Sequence, residues 1–192
     1  MFYIVICEGA SEENYIRELN KFFRENTVDI ILHPEPVGSG VYSQVYKKYK
    51  EVKRGNKHQK IIIWVDWDIY KRDGSQLVAY EEKPKSVPDF KFNYCNYEDI
   101  LVLHKSLNVI RDWESVCIRY NHFEVPMTNN IYMPLFLEKI FSTYRKGDFP
   151  IEPLSVEILS LLFRNNNDRS IKFHSDFISF IQNLLEDSGF NI

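Results

Sequence analysis

Four acidic residues stand at positions where carboxylates can do chemistry. Glu8 ends the apolar run of residues 2 to 7, and Asp66 and Asp68 follow the run Ile61-Ile62-Ile63-Trp64-Val65. Glu12 lies about 40° from Ile16 and 20° from Leu19 on a helical wheel, so it falls on an apolar stripe. Its neighbour Glu13 falls on the opposite face with Arg17, Asn20 and Arg24, and its natural role there is an i,i+4 pair with Arg17. Carboxylates held together repel one another in partly dry surroundings, and a hard divalent cation such as magnesium or manganese relieves that conflict.

Each feature has a plainer reading. Glu12 alone could be an acid favoured by a helix N-terminus. Asp66 and Asp68 alone could be solvated residues in a turn at a strand end. Their convergence depends on the elements that carry them.

Residues 2 to 7 are short, apolar and followed by Glu8-Gly9, which suits a strand buried on both faces. Tyr15, Ile16, Leu19, Phe22 and Phe23 then keep helical spacing, with Ser11 as a candidate N-cap. Val28 to Leu32 reads as a second strand, ended by Pro34 and Pro36, and Gly38-Ser39-Gly40 opens a helix carrying Val41, Tyr42, Val45, Tyr46 and Tyr49. Residues 61 to 65 form the central strand, residues 69 to 87 a short helix or loop, and Phe90, Phe92 and Tyr94 alternate as a fourth strand. While the central strand persists, Asp66 and Asp68 share one face and Trp67 points away.

From Tyr97 onward strand signals disappear. Apolar stripes at Ile100-Leu101-Leu103, Leu137-Ile140-Phe141-Tyr144, Val156-Leu159-Leu162-Phe163 and Phe173-Phe177-Ile181-Leu184 read as helices. The fold class is therefore α/β: a small parallel sheet flanked by helices in residues 1–95, with a mostly helical extension over residues 96–192 packed on it. Ligands of such sheets bind beyond the carboxyl ends of the strands, where Glu8 and Asp66 emerge.

The 192 residues are 44% hydrophobic and 15% aromatic, with a formal net charge of −3. That suffices for one sizeable core and gives no global attraction to polyanions. One basic stretch exists, Lys47, Lys48, Lys50, Lys53, Arg54, Lys57 and Lys60 against Glu51 alone. Lys47, Lys48, Lys53 and Arg54 are its candidates for holding nucleic-acid phosphates, with Tyr46 and Tyr49 available to stack on bases. The competing reading is a solvated helix face over two core tyrosines. Cys7, Cys95 and Cys117 show no metal or redox spacing and read as buried thiols. With no basic leader and no long apolar span, the expected setting is the cytoplasm, away from membranes.

The strand into Glu8-Gly9-Ala10-Ser11-Glu12 and the strand into Asp66-Trp67-Asp68 together resemble the TOPRIM domain of topoisomerases, primases and OLD-family nucleases, over roughly residues 2 to 95. Tyr97-Glu98-Asp99-Ile100-Leu101-Val102-Leu103-His104 resembles the segment after the TOPRIM core in RloB-like proteins. Tyrosine replaces phenylalanine there at 97 and isoleucine replaces tryptophan at 100.

The resemblance implies that Glu8 is a metal ligand or general base, that Asp66 and Asp68 bind metal and that Glu12 assists. Glu98 and His104 enter as catalytic candidates without a transferable role, against the alternative of a cap-region glutamate and a core histidine. It further implies a magnesium- or manganese-dependent nuclease acting on DNA or RNA in a bacterial anti-phage or restriction-linked system. A partner-dependent effector, working with an ATPase or as a homo-oligomer, is the second reading, since the chain has no Gly-x-x-x-x-Gly-Lys loop of its own. A haloacid-dehalogenase-like phosphotransferase also carries Asp-x-Asp after a strand. In that third reading the motif belongs on the first strand, Tyr70 stands where threonine or valine is usual, and Glu8-Gly9 has no role.

Overall fold

The computed structural model describes residues 1–56, 58–83, 90–151, 153–190 and 192. Lys57 and the end of the 69–87 stretch, from residue 84, lie outside the described residues. The chain runs β1 (Phe2–Cys7), α1 (Ala10–Glu25), β2 (Ile31–Pro36), α2 (Tyr42–Gly55), β3 (Lys60–Asp66), α3 (Asp68–Arg72), α4 (Gly74–Glu81), β4 (Phe90–Tyr94), α5 (Tyr97–Val102), α6 (Leu107–Arg119), α7 (Asn129–Lys139), α8 (Val156–Asn167), β5 (His174–Ser175) and α9 (Asp176–Asp187). It is an α/β fold. The sheet order is β2-β1-β3-β4-β5, parallel except for β5.

Strand alternation sorts the core into two layers. Tyr3, Val5, Cys7, Ile62 and Trp64 face a large cluster built with α1, α5 and the C-terminal helices. Ile4, Ile6, Ile63 and Val65 face a smaller one with Tyr42, Val45 and Tyr49 of α2, Tyr70 of α3 and Phe90 and Phe92 of β4. Trp64 stacks on Phe177 of α9 with ring centroids 3.9 Å apart. Residues after 96 thus share the main core with the sheet and supply its last strand.

Several boundaries differ from the sequence reading. Pro34 and Pro36 lie inside β2, paired in register with Val5 and Cys7, because β2 is an edge strand, where a missing N–H costs no ladder bond. Gly9, and not Ser11, caps α1; Ser11 is buried in the first turn, its Oγ accepting the Gly147 N–H at 3.1 Å. The stripe through Tyr144 is not one helix, since α7 stops at Lys139. β5, at two residues, is too short to leave a periodic signal. Cys7, Cys95 and Cys117 are buried free thiols. No helix among the described residues is long and apolar enough to cross a membrane.

Candidate functional site

β1 and β3 are direct neighbours, with Cys7 opposite Trp64, so Glu8 leaves the sheet beside Asp66. The Asp66 N–H reaches Glu8 Oε2 at 3.4 Å. From the other side the loop after β2 closes in, with the Gly38 N–H donating to the Glu8 carbonyl at 2.8 Å. A Cβ on Gly40 would stand 2.5 Å from Glu8 Oε2 and 2.9 Å from Ile69 Cδ1. Only glycine lets that loop approach the carboxylate.

Glu12 is 5% exposed, and its Oε2 accepts the Gly9 N–H at 3.0 Å. The helix-cap role and the inward orientation therefore coexist in one side chain. Glu13 pairs with Arg17 at 2.6 Å on the outer face. Asp66 is held by Asn93, whose Nδ2 donates to Oδ1 at 2.9 Å. Asn93 is itself oriented by donors on its oxygen, Trp64 Nε1 at 2.8 Å and Ser175 Oγ at 2.7 Å.

A cavity of about 240 Å³ opens at this edge, and Glu8, Glu12, Asp66 and Glu98 all line it. Glu98 lies in the first turn of α5 with Tyr144 donating to its Oε1 at 3.2 Å. The C-terminal half contributes the opposite wall, Lys146 and Gly147. That loop is tied to α1 through Ser11 and through Asn14, which donates to the Gly147 carbonyl.

The electrostatics follow from burial and crowding. Burial, then the Asp68 charge, raises Glu8 to about 7; burial, then Glu8, raises Glu12 to about 7. Burial followed by the charges of Glu8 and Glu12 holds Asp66 well above the usual carboxylate range. Burial also raises Glu98, with Lys146 opposing.

Asp68 falls past the end of the strand that carries Asp66. β3 stops at Asp66 and Trp67 takes a helical conformation, φ −77° and ψ −17°, as α3 begins. Strand alternation ends there, and the Asp68 side chain pairs with Arg72 at 2.5 Å while Trp67 packs on Tyr70 and Phe92. Asp68 is outside the cavity lining but close enough that its charge acts on Glu8. His104 is also outside it. Its Nε2 shares a hydrogen bond with the Tyr15 hydroxyl at 3.1 Å, and burial pushes its pKa down to about 4, so the ring is neutral in the core. Because α5 ends at Val102, Glu98 and His104 are not on one helix.

The basic residues lie elsewhere. α2 runs back from the acidic edge, and Arg54 sits twelve residues past Tyr42, a rise of about 18 Å. Lys48 pairs with Glu35 at 2.8 Å, Lys53 donates to the Tyr49 hydroxyl at 2.7 Å, and Lys47 is exposed. Tyr49 is buried and Tyr46 half-buried over the smaller core.

A second group, Cys95, Asp99 and His122, brings possible ligand atoms within 4.8 Å of one another. The Met127 N–H donates to His122 Nδ1 at 2.9 Å, so the ring proton is on Nε2, 3.1 Å from Asp99 Oδ2. Trp113 Nε1 and the Tyr132 hydroxyl fill Asp99 Oδ1 at 2.8 and 2.7 Å. A cation on Nε2 would displace the ring's only proton, so this arrangement is satisfied as a hydrogen-bonded network.

Asn93 and Lys146 are absent from the sequence reading, and Tyr144 enters it only as part of an apolar stripe. Asn93 carries a signal, an amide within the aromatic alternation of β4.

Comparison with known proteins returns no match: no family model, no curated relative and no solved structure aligns significantly with the chain.

Proposed function

We propose that this protein is a divalent-metal-dependent nuclease of the TOPRIM type, hydrolysing phosphodiester bonds of DNA or RNA in a bacterial defence setting. The observation that carries the reading is the convergence of Glu8, Glu12, Asp66 and Glu98, from three separate segments, on one cavity with Lys146 as a lining cation. Glu8, Glu12 and Asp66 are buried enough to disfavour their charged forms, and a magnesium or manganese ion fits that deficit of positive charge.

Glu8, Glu12 and Asp66 would hold the ion, with Asp68 adding charge from outside the cavity lining. Bound there, a divalent ion polarises a phosphoryl oxygen and eases deprotonation of water. Glu98 keeps Oε1 on Tyr144, which leaves Oε2 to take the proton of the attacking water. Lys146, at the cavity wall, meets the phosphate charge.

The test is cleavage of supercoiled DNA, single-stranded DNA and tRNA in manganese or magnesium, beside a chelator control, Glu8→Gln and Asp66→Asn. Cleavage should vanish with chelator and fall at least about 100-fold in each variant. A wild-type protein that binds no manganese sinks the reading.

A partner-dependent effector is the second reading. Ile118, Val125 and Ile131, 56%, 63% and 45% exposed, put apolar surface on the region of α6 and α7. Metal binding without cleavage by the isolated chain would select it.

A further inference from the structure

Tyr97 opens α5 and lines the acidic cavity. Its ring is packed against Trp64 and Tyr15, with centroids 6.1 and 6.2 Å away. The residue is 2% exposed, yet its hydroxyl has no hydrogen-bond partner among the described residues. Phenylalanine would fill the same space without burying a donor, so packing gives no reason for the oxygen.

The surroundings of the hydroxyl supply one. After burial, the Glu12 carboxylate is the group that acts on it most strongly, ahead of Tyr144, Tyr15 and Glu98. Glu12 already spends Oε2 on the Gly9 N–H, at 3.0 Å. A cation entering the cavity competes for that carboxylate and turns it, and a turned carboxylate needs a donor behind it.

We propose that Tyr97 is a positioning residue of the cation site: its hydroxyl donates to the Glu12 carboxylate when that carboxylate engages a divalent cation, and lacks a partner otherwise. This rests on the metal-dependent reading of the cavity. The hydroxyl is then a cost in the free protein and a gain in the loaded one.

Tyr97→Phe separates these states, because it removes only the oxygen. Melting should be measured with and without manganese, and manganese affinity by calorimetric titration. The free variant should melt at or above the wild-type temperature, while its manganese Kd should rise roughly tenfold and its manganese-induced stabilisation shrink accordingly. Tyr42→Phe is the control, since its hydroxyl is also buried without a partner but lies on the opposite face of the sheet. It should leave manganese affinity within about twofold of wild type.

Unchanged manganese affinity in Tyr97→Phe would overturn the positioning role while leaving the site reading intact. A lower melting temperature of the free variant would show that the hydroxyl is already bonded, and would overturn it too. Failure of wild type to bind manganese would remove the site and the inference together.

Discussion

Glu98 and Asp99 are neighbours in sequence, both buried, and the fold treats them in opposite ways. Asp99 is enclosed by donors: Trp113 and Tyr132 on one oxygen and His122 on the other. Its own N–H is capped by Asn96 at 3.0 Å. Glu98 accepts from a single side chain among the described residues, Tyr144, and faces a cavity shared with three other carboxylates. Burial alone therefore does not distinguish the two acids; the supply of donors does. Where donors saturate the carboxylate it holds α5, α6 and α7 together, and where they are fewer the acid is left open to the cavity.

Three measurements press on that contrast. The largest effect belongs to Asp99→Ala, which strips Trp113, Tyr132 and His122 of their acceptor. Urea unfolding should show a loss of about 3–5 kcal/mol, and a loss below about 1 kcal/mol would break the comparison.

Glu8→Gln should move stability the other way. The Glu8 carboxyl has a folded pKa of about 7 against an ordinary 4.5. Below the ordinary value both states are protonated and no penalty exists. Between the two values the unfolded chain ionises first, so stability falls as pH rises, and above about 7 the penalty stays constant. For Glu8 that amounts to about 3 kcal/mol at most. The metal-free protein should therefore melt lower at pH 8 than at pH 5, and Glu8→Gln or added manganese should recover part of the loss. A metal-free protein most stable at pH 8 would contradict the crowded-carboxylate picture.

The smallest effect concerns the basic stretch. Because Lys53 and Arg54 lie at the far end of α2, the Lys53→Ala/Arg54→Ala double variant should change oligonucleotide affinity by less than about twofold at physiological salt. A tenfold loss would put nucleic acid on the edge opposite the acids.

The convergence of Glu8 and Asp66 was legible because each ends a strongly apolar run, and apolar runs are the clearest strand signal. Glu12 was legible from its place on the α1 stripe. The two-residue period does not reach Asp68, because β3 ends at Asp66 and α3 begins at Asp68. Proline terminates interior strands, but the rule does not hold at an edge, where Pro34 and Pro36 continue β2. The cavity's far wall was illegible, since Lys146 and Gly147 reach it from a loop more than a hundred residues away from Glu8. Asp99's partners are spread from Trp113 to Tyr132 in the same manner. Such long-range donors leave no local pattern.

The prolines of β2 also bear on what can join this molecule. In β2 the N–H groups of alternate residues turn inward, as Ile31 does toward Met1, so positions 32, 34 and 36 turn outward. The Leu32 N–H and carbonyl are both engaged by the Asn20 side chain, at 2.9 and 2.7 Å, and Pro34 and Pro36 have no N–H to offer. At the other margin β5 is two residues long. A sheet bounded in this way resists growth by strand addition, whether into filaments of its own copies or around an extended peptide. Helical surfaces and the cavity mouth carry no such obstacle to association.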